Sequence, residues 1–325
     1  MTGSEKNYKV NEFYEDNKEE FSFEILTSGL DSPLDITCSD LYRPAFVLTG
    51  FMENYLHNRI QIIGETEVLY IRSLTPGQRE DAFDRLFSKP LCCIIITKKL
   101  DMSDLFIEKA KEASVPVLRT DWETTIFMYT LREVLNFYFA PRTIIHGSLV
   151  DVYGVGLLFS GPSGIGKSEI VLDLVERGHR LVADDVVEII KKGDVVIGRG
   201  REHLRHFMEV RGVGIINIMD VFGIRAIRIQ KRIEVVVQLR EWDPSKDWDR
   251  HGLDEKSTDI LGTKVTKLLI PIFPGKNITV ISETIALNHM LKIYGFDAAK
   301  KLDNNLFDLM ESRKRTQRYL RNDTE

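Results

Sequence analysis

The sequence predicts an α/β protein with two domains: an N-terminal α/β domain, then a phosphate-binding P-loop (Walker A) domain with a mixed sheet and C-terminal helices. Three observations support this prediction. The chain has 325 residues, which corresponds to two domains at about 150 residues each. Strand-like and helix-like segments alternate up to residue 139. A strand, a glycine-rich loop and a helix then follow one another between Gly156 and Gly178.

The composition is that of an ordinary globular protein. Hydrophobic residues make up 43% of the chain, charged residues 29%, and the formal net charge is −5. These values exclude the disordered, collagen-like and disulfide-scaffold classes. The longest apolar run, Leu91–Ile96, is far shorter than the roughly 20 residues that cross a bilayer, and the polar start lacks a secretory signal. We therefore expect a cytoplasmic protein that binds neither membranes nor nucleic acid.

The N-terminal domain is expected to span residues 1–139, with residues 1–20 polar and at most partly ordered. Alternating or β-branched segments predict strands at Phe21–Leu26, Arg59–Ile63, Val68–Ile71, Cys92–Thr97 and Val115–Leu118. Helical spacing predicts helices at Glu53–Asn58, Gln78–Phe87, Met102–Ala113 and from Asp121 to about Phe139. Because Pro141 cannot continue a helix, we place the domain boundary within Phe139–Arg142.

The second domain, residues 140–325, is expected to be rich in strands before it becomes helical. Strands are predicted at Thr143–His146, Leu149–Tyr153, Val155–Phe159, Leu181–Ala183, Val186–Ile190, Ile224–Ile229, Ile233–Leu239, Lys267–Ile272 and Ile278–Ile281. Helices are predicted after the glycine-rich loop, at Glu283–Ile293 and at Ala298–Glu311.

The strongest motif is the glycine-rich loop. Its residues fit the P-loop pattern G-x-x-x-x-G-K-[ST] in full: Gly161, Pro162, Ser163, Gly164, Ile165, Gly166, Lys167 and Ser168. The backbone N–H groups of such a loop, with the N-terminus of the next helix, bind phosphate. Lys167 would place a cation on the phosphates, and the Ser168 hydroxyl can ligate Mg²⁺. The sequence therefore predicts a nucleotide site.

Two acids follow the next predicted strand. Asp184 and Asp185 come only sixteen positions after Ser168, so their strand directly follows the P-loop helix. Successive side chains of an extended chain point to opposite sides, so Asp184 could serve Mg²⁺ while Asp185 serves a substrate proton. The alternative is a solvated turn after a strand.

Several further segments resemble the HPr kinase/phosphorylase family. They are Ile145–Gly147, Val150–Gly156, the P-loop, Glu176–Val187, Glu209–Asn217, Trp248–Asp254 and Pro271–Asn277, with Arg43–Phe51 and Arg59–Gly64 in the N-terminal domain. The likeness runs from about residue 22 to residue 310. It implies that the second domain is a kinase domain. The implied enzyme uses ATP or pyrophosphate with Mg²⁺ to phosphorylate a seryl residue of the phosphocarrier HPr, and reverses this by phosphorolysis.

The resemblance also implies roles and an assembly. Asp185 would exchange the seryl proton, His146, Lys167 and Arg250 would be further catalytic residues, and Ser168 and Glu209 would bind Mg²⁺. The segment Glu209, Val210, Arg211, Gly212, Val213, Gly214, Ile215, Ile216, Asn217 and Ile218 would serve both directions. The segment Pro271, Ile272, Phe273, Pro274, Gly275 and Lys276 would serve mainly dephosphorylation. The family regulates carbon metabolism, and the resemblance implies a homohexamer.

Taken alone, the single residues allow other interpretations. His146 fits a core or turn histidine, Glu209 a helix-end acid, and Arg250 a surface ion pair with a nearby aspartate. Two other functions also remain open. One is a P-loop kinase of small molecules, and the other is a non-enzymatic regulator that nucleotide binding switches.

One residue departs from the family pattern. Basic residues are expected on both flanks of the Pro-Gly pair, but position 273 is Phe, and Lys276 keeps a single charge. Fewer cations would weaken the binding of phosphate or phosphoprotein. We therefore expect phosphorolysis, relative to kinase activity, to be weaker in this protein than in relatives that have a basic residue at this position.

Overall fold

The computed structural model describes residues 7–245, 256–273 and 275–322. The chain forms two compact units, one up to Ala140 and one from Pro141 onward. The helices are α1 Val10–Asn17, α2 Ala45–Thr49, α3 Glu65–Ser73, α4 Pro76–Leu86, α5 Asp104–Glu112, α6 Thr124–Phe139, α7 Lys167–Glu176, α8 Ile218–Phe222, α9 Ile278–Ile293 and α10 Ala298–Asn322. Short 3₁₀ helices lie at Glu202–Leu204 and Ile224–Ala226.

Strands supply the rest of the regular structure. They are β1 Glu24–Ile25, β2 Leu41–Tyr42, β3 Ile60–Ile63, β4 Ile94–Ile96, β5 Val117–Arg119, β6 Arg142–His146, β7 Ser148–Val152, β8 Val155–Ser160, β9 Arg180–Ala183, β10 Val186–Lys192, β11 Val195–Gly200, β12 Phe207–Val210, β13 Gly214–Asn217, β14 Gln230–Arg232, β15 Val235–Glu241, β16 Ser257–Ile260 and β17 Thr263–Ile272.

The first unit is built on a five-stranded sheet in the order β1-β5-β4-β3-β2. Strands β2 to β5 are parallel, and β1 pairs antiparallel with β5. Successive residues of a strand face opposite sides of the sheet. Ile94 and Ile96 therefore pack with α2 to α5, whereas Ile95 packs with α1 and α6. Helices cover both faces, as is usual for parallel strands.

A substitution at Phe83 tests the packing of the core of this unit. Its side chain is fully buried on α4, and its ring centroid lies 5.1 Å from that of Phe106. We expect Phe83→Ala to lower the free energy of unfolding of this unit by about 3–5 kcal/mol, because it leaves a cavity. Urea denaturation measures the loss, with Leu69→Ala as control, since Leu69 is 58% exposed. Similar losses in the two variants would contradict the placement of Phe83.

The second unit is a sandwich of two sheets with helices on one side. A six-stranded sheet runs in the order β16-β17-β15-β8-β7-β9, in which β8, β15 and β17 are parallel. Helices α7 and α9 pack on one face, around Phe159, Leu174 and Ala286. The other face packs on an antiparallel sheet, β14-β11-β10-β6, through Leu158 and Val187 among others.

Two segments pass from one sheet to the other at neighbouring points. Gly147 alone separates β6 from β7, and Asp184 with Asp185 separates β9 from β10. The Gly147 N–H donates to the Asp185 carbonyl oxygen at 3.0 Å. A side chain at position 147 has no room, since an added Cβ would lie 2.4 Å from the Phe159 carbonyl oxygen. We call Gly147, Asp184 and Asp185 the sheet junction.

Most predicted elements form, and three short predictions are wrong in type. Val68–Ile71 lies inside α3, Ile278–Ile281 begins α9, and Ile224–Ile229 begins as a 3₁₀ helix. A short β-branched run does not distinguish a strand from a buried helix. In two of these cases, α3 and α9, a side-chain hydrogen bond caps the start of the helix and stabilises it. The Glu67 carboxylate accepts from the Gly64 N–H at 3.0 Å, and the Asn277 side chain accepts from the Val280 N–H at 3.0 Å.

Two further expectations for the first unit do not hold. Glu53–Asn58 forms no helix, and the helix of this region is α2 instead. The expectation of little order in residues 1–20 is wrong from Tyr8 onward, because α1 buries Val10 and Phe13 in the core. Within the described parts of the chain, no helix combines the length and the apolar character needed to cross a membrane.

Candidate active site

The glycine-rich loop joins β8 to α7, which confirms the predicted order of strand, loop and helix. The loop turns at Gly164 and Gly166, where φ is +79° and +97°. The Lys167 Nζ donates to the carbonyl oxygens of Gly161 and Pro162 at 3.2 Å and 3.0 Å. The ammonium group therefore lies across the loop whose N–H groups would bind phosphate.

Asp184 is held by two hydroxyl groups at the sheet junction. The Ser148 hydroxyl donates to Oδ1 at 2.5 Å, and the Ser168 hydroxyl donates to Oδ2 at 2.9 Å. Burial raises the pKa of Asp184, and the two hydroxyl hydrogen bonds oppose that shift. A carboxylate and a hydroxyl beside the P-loop are the oxygen ligands that Mg²⁺ prefers.

Asp185 lies in a strained turn with its side chain exposed. Its φ is +62°, and the Val186 N–H donates to the Asp184 carbonyl oxygen at 2.7 Å, which closes a γ-turn. We predicted that the two acids diverge because the chain is extended. That reason is wrong, since a turn separates them. Strained backbone of this kind persists where its surroundings fix it, and here the Gly147 hydrogen bond does so.

His146 is the last residue of β6 and pairs with Val186 in the antiparallel register. Its side chain is exposed, and the residue directly precedes Gly147 of the sheet junction. This position brings His146 to the same edge as Asp185, although the two residues are 39 positions apart in the chain.

The segment from Glu209 lies in a β-hairpin, and Glu209 is therefore not a helix-end acid. Strands β12 and β13 pair antiparallel, and buried Met208 and Ile218 anchor the hairpin in the core. Arg211, at the turn, reaches the P-loop, since a Cβ added to Gly164 would lie 2.8 Å from an Arg211 guanidinium nitrogen. Of the other predicted residues, Val210 ends β12, Gly212 and Val213 form the turn, Gly214, Ile215, Ile216 and Asn217 form β13, and Ile218 begins α8.

The loop after β17 carries the second predicted segment. Pro271 and Ile272 end the strand, and Phe273 follows it with 41% of its surface exposed. The Lys276 Nζ donates to the Pro271 carbonyl oxygen at 3.0 Å and lies 5.3 Å from the centre of the Phe273 ring. Burial lowers the pKa of Lys276. Gly275 turns the loop at φ +86°.

Two predicted site residues, Arg250 and Pro274, lie outside the described residues. Among the predicted metal ligands, Ser168 and Asp184 are in direct contact, whereas Glu209 is exposed on β12 and shares no described hydrogen bond with either. In residues 7–245, 256–273 and 275–322, no three His, Cys, Asp or Glu side chains converge on one metal position. Mg²⁺ needs few protein ligands when it also binds phosphates, so the Ser168–Asp184 pair fits it.

Sequence reasoning missed Ser148. No motif includes this residue, and only the pairing of Leu149 with Ala183 between β7 and β9 brings its hydroxyl to Asp184. The contact between Arg211 and Gly164 was also missed, because it depends on where the hairpin folds back. The spacing of residues along the sequence predicts neither contact.

Comparisons with known proteins cover nearly all of the chain. The family model described as HPr Serine kinase N terminus matches residues 8–135, and that described as HPr Serine kinase C-terminal domain matches residues 138–306. An HPr kinase/phosphorylase of Chloroherpeton thalassium is 48% identical over 268 residues, 82% of this chain and 79% of that protein. One of Bacillus cereus is 41% identical over 296 residues, 90% of this chain and 95% of that protein.

A solved structure is also similar. It is described as the Hpr(Ser) kinase/phosphatase from Coxiella burnetii, with 31% identity, 49% of this chain and 98% of that chain covered, and a TM-score of 0.45. The two family models and the two relatives carry the conclusion. This chain belongs to the HPr kinase/phosphorylase family.

Proposed function

We propose that this enzyme transfers a phosphoryl group from ATP or pyrophosphate to a seryl hydroxyl of HPr, and returns it from phosphoserine to inorganic phosphate, which releases pyrophosphate. The names of the relatives support this function. The single observation that carries it is the unequal environment of the two acids. Asp184 is bound by two hydroxyls, whereas Asp185 presents an exposed carboxylate at the same junction.

The chain's residues divide the reaction between them. Asp185 would accept the seryl proton as the hydroxyl oxygen attacks the terminal phosphorus, and would return that proton in phosphorolysis. His146 lies at the same edge and would assist the transfer of this proton. The Lys167 ammonium and the loop N–H groups would hold the phosphates, and Arg211 approaches the same loop over Gly164.

Mg²⁺ would neutralise charge on the phosphates and would be held by Ser168 and Asp184, with Glu209 as a third predicted ligand. Arg250 would be a further cation for the charge that develops on the transferred group. We also propose that the enzyme is a cytoplasmic homohexamer that binds neither membranes nor nucleic acid.

Incubation with HPr tests the function directly. The enzyme, HPr, ATP and Mg²⁺ should yield phosphoserine on HPr by mass spectrometry, and later addition of phosphate should remove it and release pyrophosphate. Transfer to small metabolites but not to HPr would favour a small-molecule kinase. Nucleotide binding without any transfer would favour a non-enzymatic regulator.

Phe273 gives a prediction about the balance of the two directions. We expect Phe273→Arg to raise phosphorolysis relative to kinase activity, chiefly by lowering the phosphate concentration that is needed. An added cation would offset the repulsion between phosphate and phosphoserine, about 4 kcal/mol for unit charges 4 Å apart at an effective dielectric constant of 20. Both rates are measured across a phosphate titration. An unchanged phosphate dependence would show that position 273 does not act on the entering phosphate.

A further inference from the structure

The P-loop strand β8 has different neighbours on its two sides. On one side, β7 and β9 lead to the acids of the sheet junction, and on the other side lie β15 and then β17. The reacting phosphate has to lie on the acid side, because Asp185 must reach the seryl proton. A nucleotide that runs away from the acids extends toward the ends of β15 and β17.

Each of those two strands is followed by an exposed aromatic residue. Trp242 follows β15 and Phe273 follows β17, with 45% and 41% of their surfaces exposed. The Trp242 N–H donates to the Ile272 carbonyl oxygen at 3.0 Å, which continues the parallel ladder and sets the two residues side by side. The ring centroids are 5.7 Å apart, and the ring planes meet at 67°. We call this pair the aromatic corner.

The aromatic corner lies close to the P-loop. The loop begins against the end of β15, since a Cβ added to Gly161 would lie 2.6 Å from the Leu239 carbonyl oxygen. A groove of about 880 Å³ lies on the Trp242 side of the corner. Pro162, Arg240 and Trp242 are among the residues that line it, and Phe273 is not. Strand β17 is two strand spacings from β8, about 9–10 Å, so a nucleoside attached to phosphates in the loop can reach its end.

The chemistry of the corner suits a nucleobase. Flat aromatic side chains bind bases by stacking, and a nearby cation favours the attached phosphates. The Lys276 Nζ lies 5.3 Å from the centre of the Phe273 ring, so a cation borders the aromatic corner. We propose that the base of a purine nucleoside triphosphate lies against Trp242 and Phe273, and that this contact sets the preference for the triphosphate over pyrophosphate. The inference rests on the proposed function and names the donor subsite within it.

Pyrophosphate provides an internal control, because it has no base. We expect Phe273→Ala and Trp242→Ala to weaken ATP binding by about 5- to 100-fold, measured by titration calorimetry with Mg²⁺. In Trp242→Ala, which changes no residue predicted to act on phosphate, pyrophosphate affinity should stay within about twofold of the wild-type value. Phe273→Trp, which keeps a flat ring, should retain ATP binding. Phe296→Ala is the matched control, because Phe296 is 68% exposed and follows the far end of the 16-residue helix α9.

The outcomes separate this inference from the proposed function. Unchanged ATP affinity in both alanine variants would overturn the inference and leave the kinase assignment intact. Equal losses for ATP and pyrophosphate in Trp242→Ala would also overturn it, because the ring would then support the loop and not a base. If the wild-type chain bound neither ligand, the inference and the proposed function would both fall.

Discussion

Lys167→Ala is expected to abolish phosphoryl transfer in both directions. Each direction moves the same phosphoryl group, and a cation on the phosphates stabilises the charge that develops during transfer. Removing one such electrostatic contact costs at least about 10²–10³-fold in rate. Arg211 approaches the loop at Gly164 from the hairpin turn, so we do not expect it to replace a cation at the helix start.

The measurement is the initial rate of HPr phosphorylation and of phosphate-dependent dephosphorylation. Lys192→Ala is the matched control, since Lys192 is an exposed lysine at the end of β10. The control should keep both rates. Normal turnover in Lys167→Ala would contradict the placement of the phosphates in this loop.

Asp185→Asn is expected to lower transfer by about 10²–10⁴-fold while nucleotide binding persists. Asparagine cannot accept the seryl proton, but it has the same shape as aspartate. It also tolerates positive φ better than most residues, so the turn at φ +62° should be kept. ATP affinity with Mg²⁺ and the single-turnover rate of HPr phosphorylation measure the two effects separately.

Asp184→Asn provides the comparison for that experiment. Asp184 accepts hydrogen bonds from Ser148 and Ser168, so its amide variant should chiefly weaken the binding of the nucleotide with Mg²⁺. A far larger loss of the transfer step in Asp184→Asn than in Asp185→Asn would mean that the two roles are reversed.

The sequence predicted the parts of the site that depend on local spacing. The P-loop and helix α7 follow from a contiguous motif, because the loop needs its residues in one short stretch. The adjacent acids were also found, since they end a strand next to that helix. The different orientations of Asp184 and Asp185 were predicted for the wrong reason. They follow from a turn with positive φ at Asp185, and such a turn has no reliable signature in a single sequence.

Contacts between distant segments could not be predicted in this way. Ser148 reaches Asp184 only through the pairing of β7 with β9, and Trp242 meets Phe273 only through the register of β15 with β17. Helix and strand were confused at Val68–Ile71 and Ile278–Ile281, where the caps that begin the helices outweigh β-branched composition.

The sheet junction has a consequence for how the enzyme gains activity as it folds. Gly147 and Asp185 are 38 positions apart, and their hydrogen bond requires that β6 and β7, as well as β9 and β10, have already entered their separate sheets. Contacts between distant positions form late, because closing the intervening chain costs entropy before the contact repays it. The Asp185 carboxylate, the proposed proton acceptor, thus acquires its geometry only after both sheets assemble. Recovery of catalysis during refolding therefore reports the completed sandwich, whereas recovery of helix signal reports earlier and more local steps.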